Sequence, residues 1–403
     1  MVFVSCAQID GNEDEMWNAD DSVVPEAITL TRSEMQVSDK DVEFGINLFK
    51  DIYSLDGGKN DILISPFSAS MLLSLTSGGA NGDTYNQIAD ALGFKGLPAS
   101  EVQSYYKKVT DRLAAPNGRV NLSVANAIWS DLTFKSDFTD AAKYYYNAEL
   151  QKVDFNNEKE ATKRINEWTA EKTHNMIGRL FDSTLPKSTQ AVFENALYFK
   201  GQWKGEYLTE AGKFRDIGGK TGNVTFFGIN KYWELDSYFD KDVSILQLPY
   251  KDDSYKMVFI LPAEGSDLSE FISSFSIGKW NIWKGRISKR EVKFLVPCFE
   301  AQYAMSENFA KALQKRGITL AFSDDADFSN MLESKGFRLD ETIQKTAIIL
   351  NEKGSEASSA TVDLGLSIDD EPSQFDFIAD RPFVYAIIEE GSGAILFMGA
   401  HVK

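Results

Sequence analysis

Histidine and cysteine, which often act as catalytic bases, nucleophiles or metal ligands, are rare in this sequence. Carboxylates are numerous but show no recognisable pairing, and a carboxylate-only hydrolase stays an open alternative. The 403 residues include two histidines, His174 and His401, and two cysteines, Cys6 and Cys298. Hydrolases commonly place a histidine base between a nucleophile and an orienting group. We place His174 in the last turn of a predicted helix and His401 after a predicted strand, and interpret both as structural. Cys298 is interpreted as a small buried residue on a strand face.

The motifs of common nucleotide-, metal- and serine-dependent enzymes are absent from the sequence. It contains no G-x-S-x-G, G-x-G-x-x-G, Walker or H-E-x-x-H pattern. Two cysteines can form neither a four-thiolate zinc site nor a CxxC redox pair. We therefore predict no catalytic residue, no metal site and no cofactor. A secreted hydrolase whose Ser/Ala-rich loop acts as a lid is a further enzymatic alternative, and no residue supports it.

Composition and charge exclude further classes of protein. Hydrophobic residues make up 43% of the chain, which is enough for a large core. The formal net charge is -18, and no polybasic run is present, so nucleic acid is not expected as a partner. No apolar run reaches the roughly 18 residues that a membrane-spanning helix needs. The chain is predicted to be a globular monomer.

The first residues differ from the rest in composition. Residues 7–40 contain nine acidic and two basic side chains with little hydrophobic periodicity, so we predict a flexible acidic leader over residues 1–38. One large domain is expected over residues 39–403. Cys6 follows an apolar pentapeptide, as at the end of a bacterial lipoprotein signal. The predicted location is extracellular or at the cell surface, with lipid attachment through Cys6 as one alternative.

Local patterns predict helices early in the chain and strands later, which favours a mixed α+β fold. A helix is expected after a cap at Ser38, a second after a cap at Ser65 with Pro66 in its first position, and an amphipathic third over residues 157–176. Turns at residues 252–254 and 390–393 predict two hairpins. Seven short segments rich in branched and aromatic residues predict strands at 191–199, 243–248, 257–261, 291–299, 346–350, 383–388 and 394–398.

The least ordinary segment lies between two of these strands. It contains almost no bulky side chains and continues into apolar residues that a simple linker would seldom expose. Small residues at alternating positions would fit beneath a packed layer if the segment entered a sheet. The segment is Glu352, Lys353, Gly354, Ser355, Glu356, Ala357, Ser358, Ser359, Ala360 and Thr361.

At this point the sequence resembles the serpins, the serine protease inhibitor family. Residues 352–357 look like the family's hinge motif, and further motifs follow the family's order over residues 40–403. The resemblance implies three β-sheets, eight or nine helices and an exposed reactive-centre loop. The other motifs are Ile64-Ser65-Pro66-Phe67-Ser68, residues 193–203 (FENALYFKGQW), Leu248-Pro249-Tyr250, Ile260-Leu261-Pro262, Arg381-Pro382-Phe383 and Phe397-Met398-Gly399.

The resemblance also implies a function and a set of site residues. A serpin of the inhibitory kind is a suicide substrate: a serine protease forms an acyl-enzyme at the loop, which then inserts into the central sheet and traps the protease. The hinge, where the loop leaves the preceding strand, would be residues 352–361. The breach, where insertion begins, would contain Trp203. The shutter would contain Ser65, Ser68, Asn195 and Gln344. Because Gln344 stands where the family usually has a histidine, we predict that opening depends little on pH near neutrality.

Two ways of counting place the reactive bond differently. Counting forward from Glu352 gives Ile368-Asp369, which we prefer, and counting back from Arg381 gives Glu371-Pro372. An aliphatic residue before the bond, with no Lys or Arg from 354 to 380, favours elastase-like or subtilisin-like targets over trypsin-like ones. A cysteine protease remains a further alternative.

Asp363 argues against efficient insertion. Continuing the alternation places its carboxylate inward, where burial without a partner is costly. This residue supports the alternative of a non-inhibitory serpin that acts as a carrier or chaperone.

Overall fold

The structure is a computed structural model that describes residues 23–115, 117–305, 307–334, 336–339, 344–354 and 374–403. Within these residues there are nine α-helices and one 3-10 turn at Leu320–Phe322. The helices are α1 (Arg32–Leu55), α2 (Pro66–Gly79), α3 (Gly82–Ala91), α4 (Ala99–Ala114), α5 (Ser136–Tyr146), α6 (Glu158–Lys172), α7 (Leu268–Ser274), α8 (Ile277–Lys284) and α9 (Glu307–Lys315).

Fourteen strands form three hydrogen-bonded sheets in the described part of the chain. One sheet has nine strands in the order β1-β14-β13-β8-β7-β6-β9-β12, with β5 pairing to β6; the others are β3-β2-β4 and β10-β11. The strands are β1 (Ile62–Ile64), β2 (Val120–Ser130), β3 (Ala148–Lys152), β4 (Ala191–Gly201), β5 (Leu208–Arg215), β6 (Thr221–Phe239), β7 (Val243–Pro249), β8 (Tyr255–Pro262), β9 (Ser288–Pro297), β10 (Phe299–Met305), β11 (Gln344–Leu350), β12 (Phe375–Ile378), β13 (Phe383–Glu389) and β14 (Ile395–His401).

The predicted α+β class with three sheets is confirmed. Each of the seven predicted strands is present, and the two predicted hairpins join β7 to β8 and β13 to β14. The segment 291–299 belongs to two strands rather than one, because the strand is interrupted at Cys298, between β9 and β10. Cys298 is half-buried rather than fully buried. The prediction missed β1, β2, β3, β5, β6, β12 and all of β10 after Phe299. In the long β6, exposed residues obscure the strand pattern.

The first helix begins earlier than predicted. Thr31 caps α1: its Oγ1 accepts a hydrogen bond from the Glu34 N–H at 3.2 Å, and Glu34 Oε2 accepts one from the Thr31 N–H at 2.7 Å. This reciprocal pair is a capping box. The predicted cap at Ser38 is therefore wrong, and residues 32–38, assigned to the leader, are helical. The predicted cap of α2 is confirmed, with Ser65 Oγ accepting from the Ser68 N–H at 3.4 Å.

The amphipathic helix is shorter than expected. It ends at Lys172, because His174 and Asn175 adopt left-handed backbone conformations with φ of 50° and 63°. His174 therefore lies beyond the helix instead of in its last turn. Its ring packs against Tyr198, with the centroids 4.9 Å apart.

The helix α6 covers one face of the three-stranded sheet. Ile165 and Trp168 of α6 form a small apolar cluster with Trp129 of β2 and with Val192 and Ala196 of β4. The intervening residues of β4 point to the main core on the opposite face, so every residue of β4 is buried. Among the helices of the described residues, none combines the length and apolar character of a membrane span.

Candidate functional site

Two neighbouring strands, β4 and β11, belong to different sheets. All eleven residues of β4 pair antiparallel with β2, and all seven of β11 pair antiparallel with β10. Residues of β4 and β11 come within 8 Å of each other, Cα to Cα. Over the residues that the structure describes, no ladder joins these two strands. Each therefore has one edge whose backbone groups could pair with a further strand.

Three of the four predicted shutter residues meet where β11 begins. The Gln344 side chain accepts from the Ser65 N–H at 2.8 Å and donates to the Ser65 carbonyl at 2.9 Å. Ser65 Oγ donates to the Leu396 carbonyl of β14 at 2.7 Å and lies 2.8 Å from Ser68 Oγ. These bonds tie the first residue of β11 to the start of α2 and to the nine-stranded sheet. All four predicted shutter residues, including Asn195, are buried.

The fourth predicted shutter residue, Asn195, lies on β4 and makes a separate contact. Its side chain donates to Asn126 Oδ1 of β2 at 2.7 Å, and Asn126 donates to the Tyr146 carbonyl at 2.5 Å. In the described part of the chain no hydrogen bond joins Asn195 to Ser65, Ser68 or Gln344. Asn195 Oδ1 is buried without a hydrogen-bond partner there. Asn126 was not identified from the sequence, and its position in β2 became apparent only from the sheet register.

The predicted breach residue, Trp203, follows β4 directly and touches the chain beyond β11. Its indole stacks on Tyr250, with ring centroids 4.6 Å apart, and its Nε1 donates to the Asn351 carbonyl at 2.9 Å. The backbone of Gln202 forms an isolated bridge with Gly354. Trp203 therefore holds the end of β4 beside the first residues of the predicted hinge.

The segment predicted to be the hinge has a backbone conformation that suits glycine at Gly354. Gly354 has φ of +129°, and a Cβ there would lie 2.2 Å from the Gly201 carbonyl oxygen. Glu352, Lys353 and Gly354 are the hinge residues that the structure describes. The hinge residues Ser355 to Thr361 lie outside the described residues, as do Asp363, Ile368, Asp369 and Glu371. Cys6 also lies outside them.

Neither histidine forms a catalytic arrangement in the described residues. His401 is buried, with Nδ1 2.9 Å from Asp61 Oδ2, and its ring stacks on Phe299 with centroids 4.3 Å apart. No hydroxyl or thiol is hydrogen-bonded to either imidazole where the structure is described. No cluster of potential metal ligands occurs among those residues either.

Two buried carboxyls were missed by the sequence analysis. Asp41 of α1 accepts from Tyr105 at 3.0 Å and Tyr106 at 3.3 Å and also contacts Ser70, while burial raises its pKa to about 7. Glu194 of β4 is buried on the face that α6 covers, and burial raises its pKa to about 8. The signal for Glu194 was a single acidic residue inside a strand that is mostly apolar.

Comparison with known proteins agrees with this arrangement. The family model described as serpin, serine protease inhibitor, matches residues 39–403. Iripin-3 of Ixodes ricinus is 32% identical over 353 residues, covering 85% of this chain and 88% of the relative. Leukocyte elastase inhibitor of Bos taurus is 30% identical over 380 residues, covering 90% and 98%. The crystal structure of human thyroxine-binding globulin with its hormone matches with a TM-score of 0.81 at 27% identity, covering 92% and 99%.

The chain belongs to the serpin family, and its fold is the serpin fold. Members of this family are protease inhibitors, and one relative is named as an inhibitor of leukocyte elastase. One similar structure is instead that of a hormone-binding protein. Family membership therefore establishes the fold and the general relation to protease inhibition, and the activity of this chain has to be argued from its own residues.

Proposed function

We propose that this protein inhibits serine proteases as a suicide substrate. The protease serine attacks the carbonyl of Ile368, the bond to Asp369 breaks, and the new amino terminus at Asp369 takes up the proton. An acyl-enzyme ester remains on Ile368. The freed segment that begins at Ser355 then enters between β4 and β11 as a new strand, carrying the protease with it before water hydrolyses the ester. The protease supplies the catalytic groups, and the inhibitor supplies none.

The observation that supports this proposal most directly is that, over the described residues, no ladder joins the facing edges of β4 and β11. A strand placed between β4 and β11 would complete backbone ladders on both sides, and serpin loop insertion is a known example of such strand addition. Gly354 lies at one end of this site, bridged to Gln202. The segment from Ser355 therefore starts beside the position that it would fill.

The sequence around the proposed reactive bond sets the target class. Ile368 suits the aliphatic pocket of elastase-like and subtilisin-like enzymes. The absence of Lys and Arg from 354 to 380 makes trypsin-like enzymes poor partners. Acidic residues at 369–371 favour proteases with a basic rim and should speed their encounter at low ionic strength. We further propose an extracellular or cell-surface location, where such proteases act.

A carrier function is the second candidate. The similarity to thyroxine-binding globulin shows that a chain of this fold can bind a small ligand. Asp363, if it entered the sheet, would bury a carboxylate and slow insertion. The two functions differ in what a protease does to the protein, because a carrier is cleaved without forming an ester-linked complex.

The test mixes the full chain with neutrophil elastase, subtilisin and trypsin in separate reactions. We expect complexes with elastase or subtilisin that survive denaturing gels, and mass spectrometry should find a carboxyl-terminal peptide beginning at Asp369. Cleavage without a complex and without a gain in thermal stability would refute the inhibitor function. A ligand search would then be the next step.

A matched pair of hinge variants separates insertion from cleavage. Ala357→Arg places a long charged side chain at a position predicted to face inward, whereas Glu356→Arg changes the neighbouring outward position. We expect Ala357→Arg to be cleaved at the same bond but to form little complex. Glu356→Arg should trap protease like the unmodified protein. Equal trapping by both variants would contradict insertion of this segment.

A further inference from the structure

A buried glutamic acid joins α6 to the sheet that it covers. Glu194 lies at the middle of β4 and is 1% exposed. Its carboxyl reaches β2 and α6 together: Trp129 Nε1 donates to Oε2 at 3.0 Å, and Thr169 Oγ1 lies 2.5 Å from Oε1. The neighbours of Glu194 on the same strand face, Val192 and Ala196, belong to the apolar cluster beneath α6.

The hydrogen-bond inventory favours the neutral form of this acid. Thr169 Oγ1 lies 3.0 Å from the Ile165 carbonyl and can donate its one proton there. A protonated Glu194 then donates to Thr169 Oγ1 and accepts from Trp129, so that every bond forms at once. An ionised Glu194 would turn the Thr169 hydroxyl away from Ile165 and would hold a buried negative charge between two neutral donors.

Among the residues that the structure describes, no charged group compensates an ionised Glu194. On α6, Arg164 lies over the Trp129 ring, 6.0 Å from its centroid, and Lys172 is paired with Glu149 of β3 at 2.8 Å. Beyond α6, His174 packs on Tyr198 of β4, and Asp182 is 3.6 Å from Lys345 of β11. None of these groups contacts the Glu194 carboxyl in the described residues. Burial is accordingly the largest influence on its pKa, which rises to about 8.

We propose that Glu194 is a proton-dependent latch that holds α6 against β2 and β4 and so controls how readily the site beside β4 opens. That Glu194 holds α6 against the two strands follows from its contacts alone. That it controls opening of the site rests on the proposed function. The segment after α6 is tied to β11, since Asp182 lies 3.6 Å from Lys345. A new strand that separates β4 from β11 would therefore also displace α6 relative to the sheet that it covers. A neutral Glu194, bonded to both layers, resists that shift.

The direction of the pH dependence follows from the two states of the latch. When α6 lifts, the carboxyl meets water and regains its ordinary pKa near 4.5, whereas in the closed state the pKa is about 8. Between these two pKa values the closed state therefore binds more protons than the open state. The free-energy advantage of the closed state decreases as pH rises. Opening should increase by up to about tenfold per pH unit in this interval and level off above pH 8. This replaces the expectation of pH-independent opening drawn from Gln344.

A matched control is available on β3, in the same three-stranded sheet. Glu149 also accepts a hydrogen bond from a tryptophan of this layer, Trp168 Nε1 at 3.0 Å, but it is paired with Lys172 and partly exposed. The hydrogen bonds from Lys172 and Trp168 outweigh its burial and lower its pKa. Glu149 therefore stays ionised throughout the interval in which the latch titrates.

Hydrogen exchange of the full chain, followed by mass spectrometry on peptides from 158–172 between pH 5.5 and 9.5, tests the latch. After correction for intrinsic exchange, we expect the opening of α6 to rise at least tenfold from pH 5.5 to 7.5. Glu194→Gln, whose amide reproduces the bonds of the neutral acid, should abolish the rise, and so should Glu194→Val. Glu149→Gln should retain it. An unchanged pH profile in Glu194→Gln, or a flat profile in the unmodified protein, would overturn the proposal.

The same variants separate the latch from inhibition. The rate of stable complex formation with elastase should follow the opening of α6 in the unmodified protein and lose that pH dependence in Glu194→Gln. If α6 opens with pH but no complex forms at any pH, the latch stands and the proposed function fails. If Glu194→Gln leaves the rate of complex formation and its pH dependence unchanged, the latch does not control insertion.

Discussion

Replacing Gln344 by alanine removes the side chain that joins β11 to the start of α2. Gln344 makes two hydrogen bonds to Ser65, at 2.8 and 2.9 Å, and is 5% exposed. The Ser65 carbonyl keeps a second partner, since it also accepts from the Ala69 N–H at 3.1 Å. The Ser65 N–H loses the partner that the structure gives it and is left buried. An unsatisfied buried donor costs about 1–3 kcal/mol and the other lost bond about 0.5–1.5 kcal/mol.

We therefore expect Gln344→Ala to lower the free energy of unfolding by about 2–4 kcal/mol. Guanidinium unfolding followed by tryptophan fluorescence and circular dichroism measures the loss. Gln344→Glu can still accept from the Ser65 N–H, but when ionised it buries a carboxylate against the Ser65 carbonyl, so its loss should be at least as large at neutral pH and smaller at low pH, where the protonated acid can donate. Lys345→Ala, at the next position of β11, removes only a weak pair with Asp182 at 3.6 Å and serves as the control. A Gln344→Ala protein as stable as the Lys345→Ala protein would refute the reasoning.

Three further substitutions test other parts of the structure. Arg112→Met breaks an ion pair with Asp252 at 2.9 Å in which both side chains are at most 3% exposed, and should cost about 3–5 kcal/mol in urea unfolding. Trp203→Phe keeps the aromatic stacking but removes the donor to the Asn351 carbonyl, and should cost about 0.5–1.5 kcal/mol in the same assay. Gly354→Ala places a Cβ 2.2 Å from a backbone oxygen of β4, so we expect the bridge to break, with a loss of about 1–3 kcal/mol and faster amide exchange at Trp203.

Two of these substitutions have a matched control. Lys107→Met removes an exposed pair with Asp111 and should change stability by less than about 1 kcal/mol. Gly57→Ala has the same left-handed backbone requirement as Gly354→Ala, with φ of +82°, but its Cβ meets no atom within 4 Å. Equal losses in the two glycine variants would show that backbone strain, and not contact with β4, is responsible. A Trp203→Phe protein with unchanged stability and unchanged exchange would contradict the role of the indole donor.

Features governed by neighbouring residues were predictable from the sequence. Ser65 followed by Pro66 indicates the start of α2, because a side-chain acceptor and a missing N–H both suit a helix N-terminus. The turns at 252–254 and 390–393 likewise indicate hairpins, since their residues tolerate the backbone angles required. The motif series that resembles the serpins carries the same kind of information over residues 40–403. These patterns were sufficient for the fold class and for seven of the fourteen strands in the described residues.

The predictions from the sequence were wrong where the local composition indicated a different structure from the one that forms. Thr31 and Glu34 form a capping box that was present in the sequence, but the acidic composition of residues 7–40 favoured a leader, and the start of α1 was placed seven residues late. The strand β6 was missed because many of its side chains face solvent. The segment forms a strand because it pairs antiparallel with β9, and its composition does not indicate that pairing. For β6 the deciding contacts come from a strand that is distant in the sequence, whereas the capping box of α1 is local.

The sequence by itself determined the family, the fold class and the absence of recognisable catalytic motifs, because these depend on residue types and short spacings. The tertiary structure decided how distant segments combine. Gln344 and Ser65 are 279 residues apart and form two hydrogen bonds. Glu194 is one acidic residue in a mostly apolar strand until α6 covers it and removes water from its carboxyl. The physical reason is that burial and hydrogen-bond partners set the protonation of an acid, and both arise only when the layers pack together.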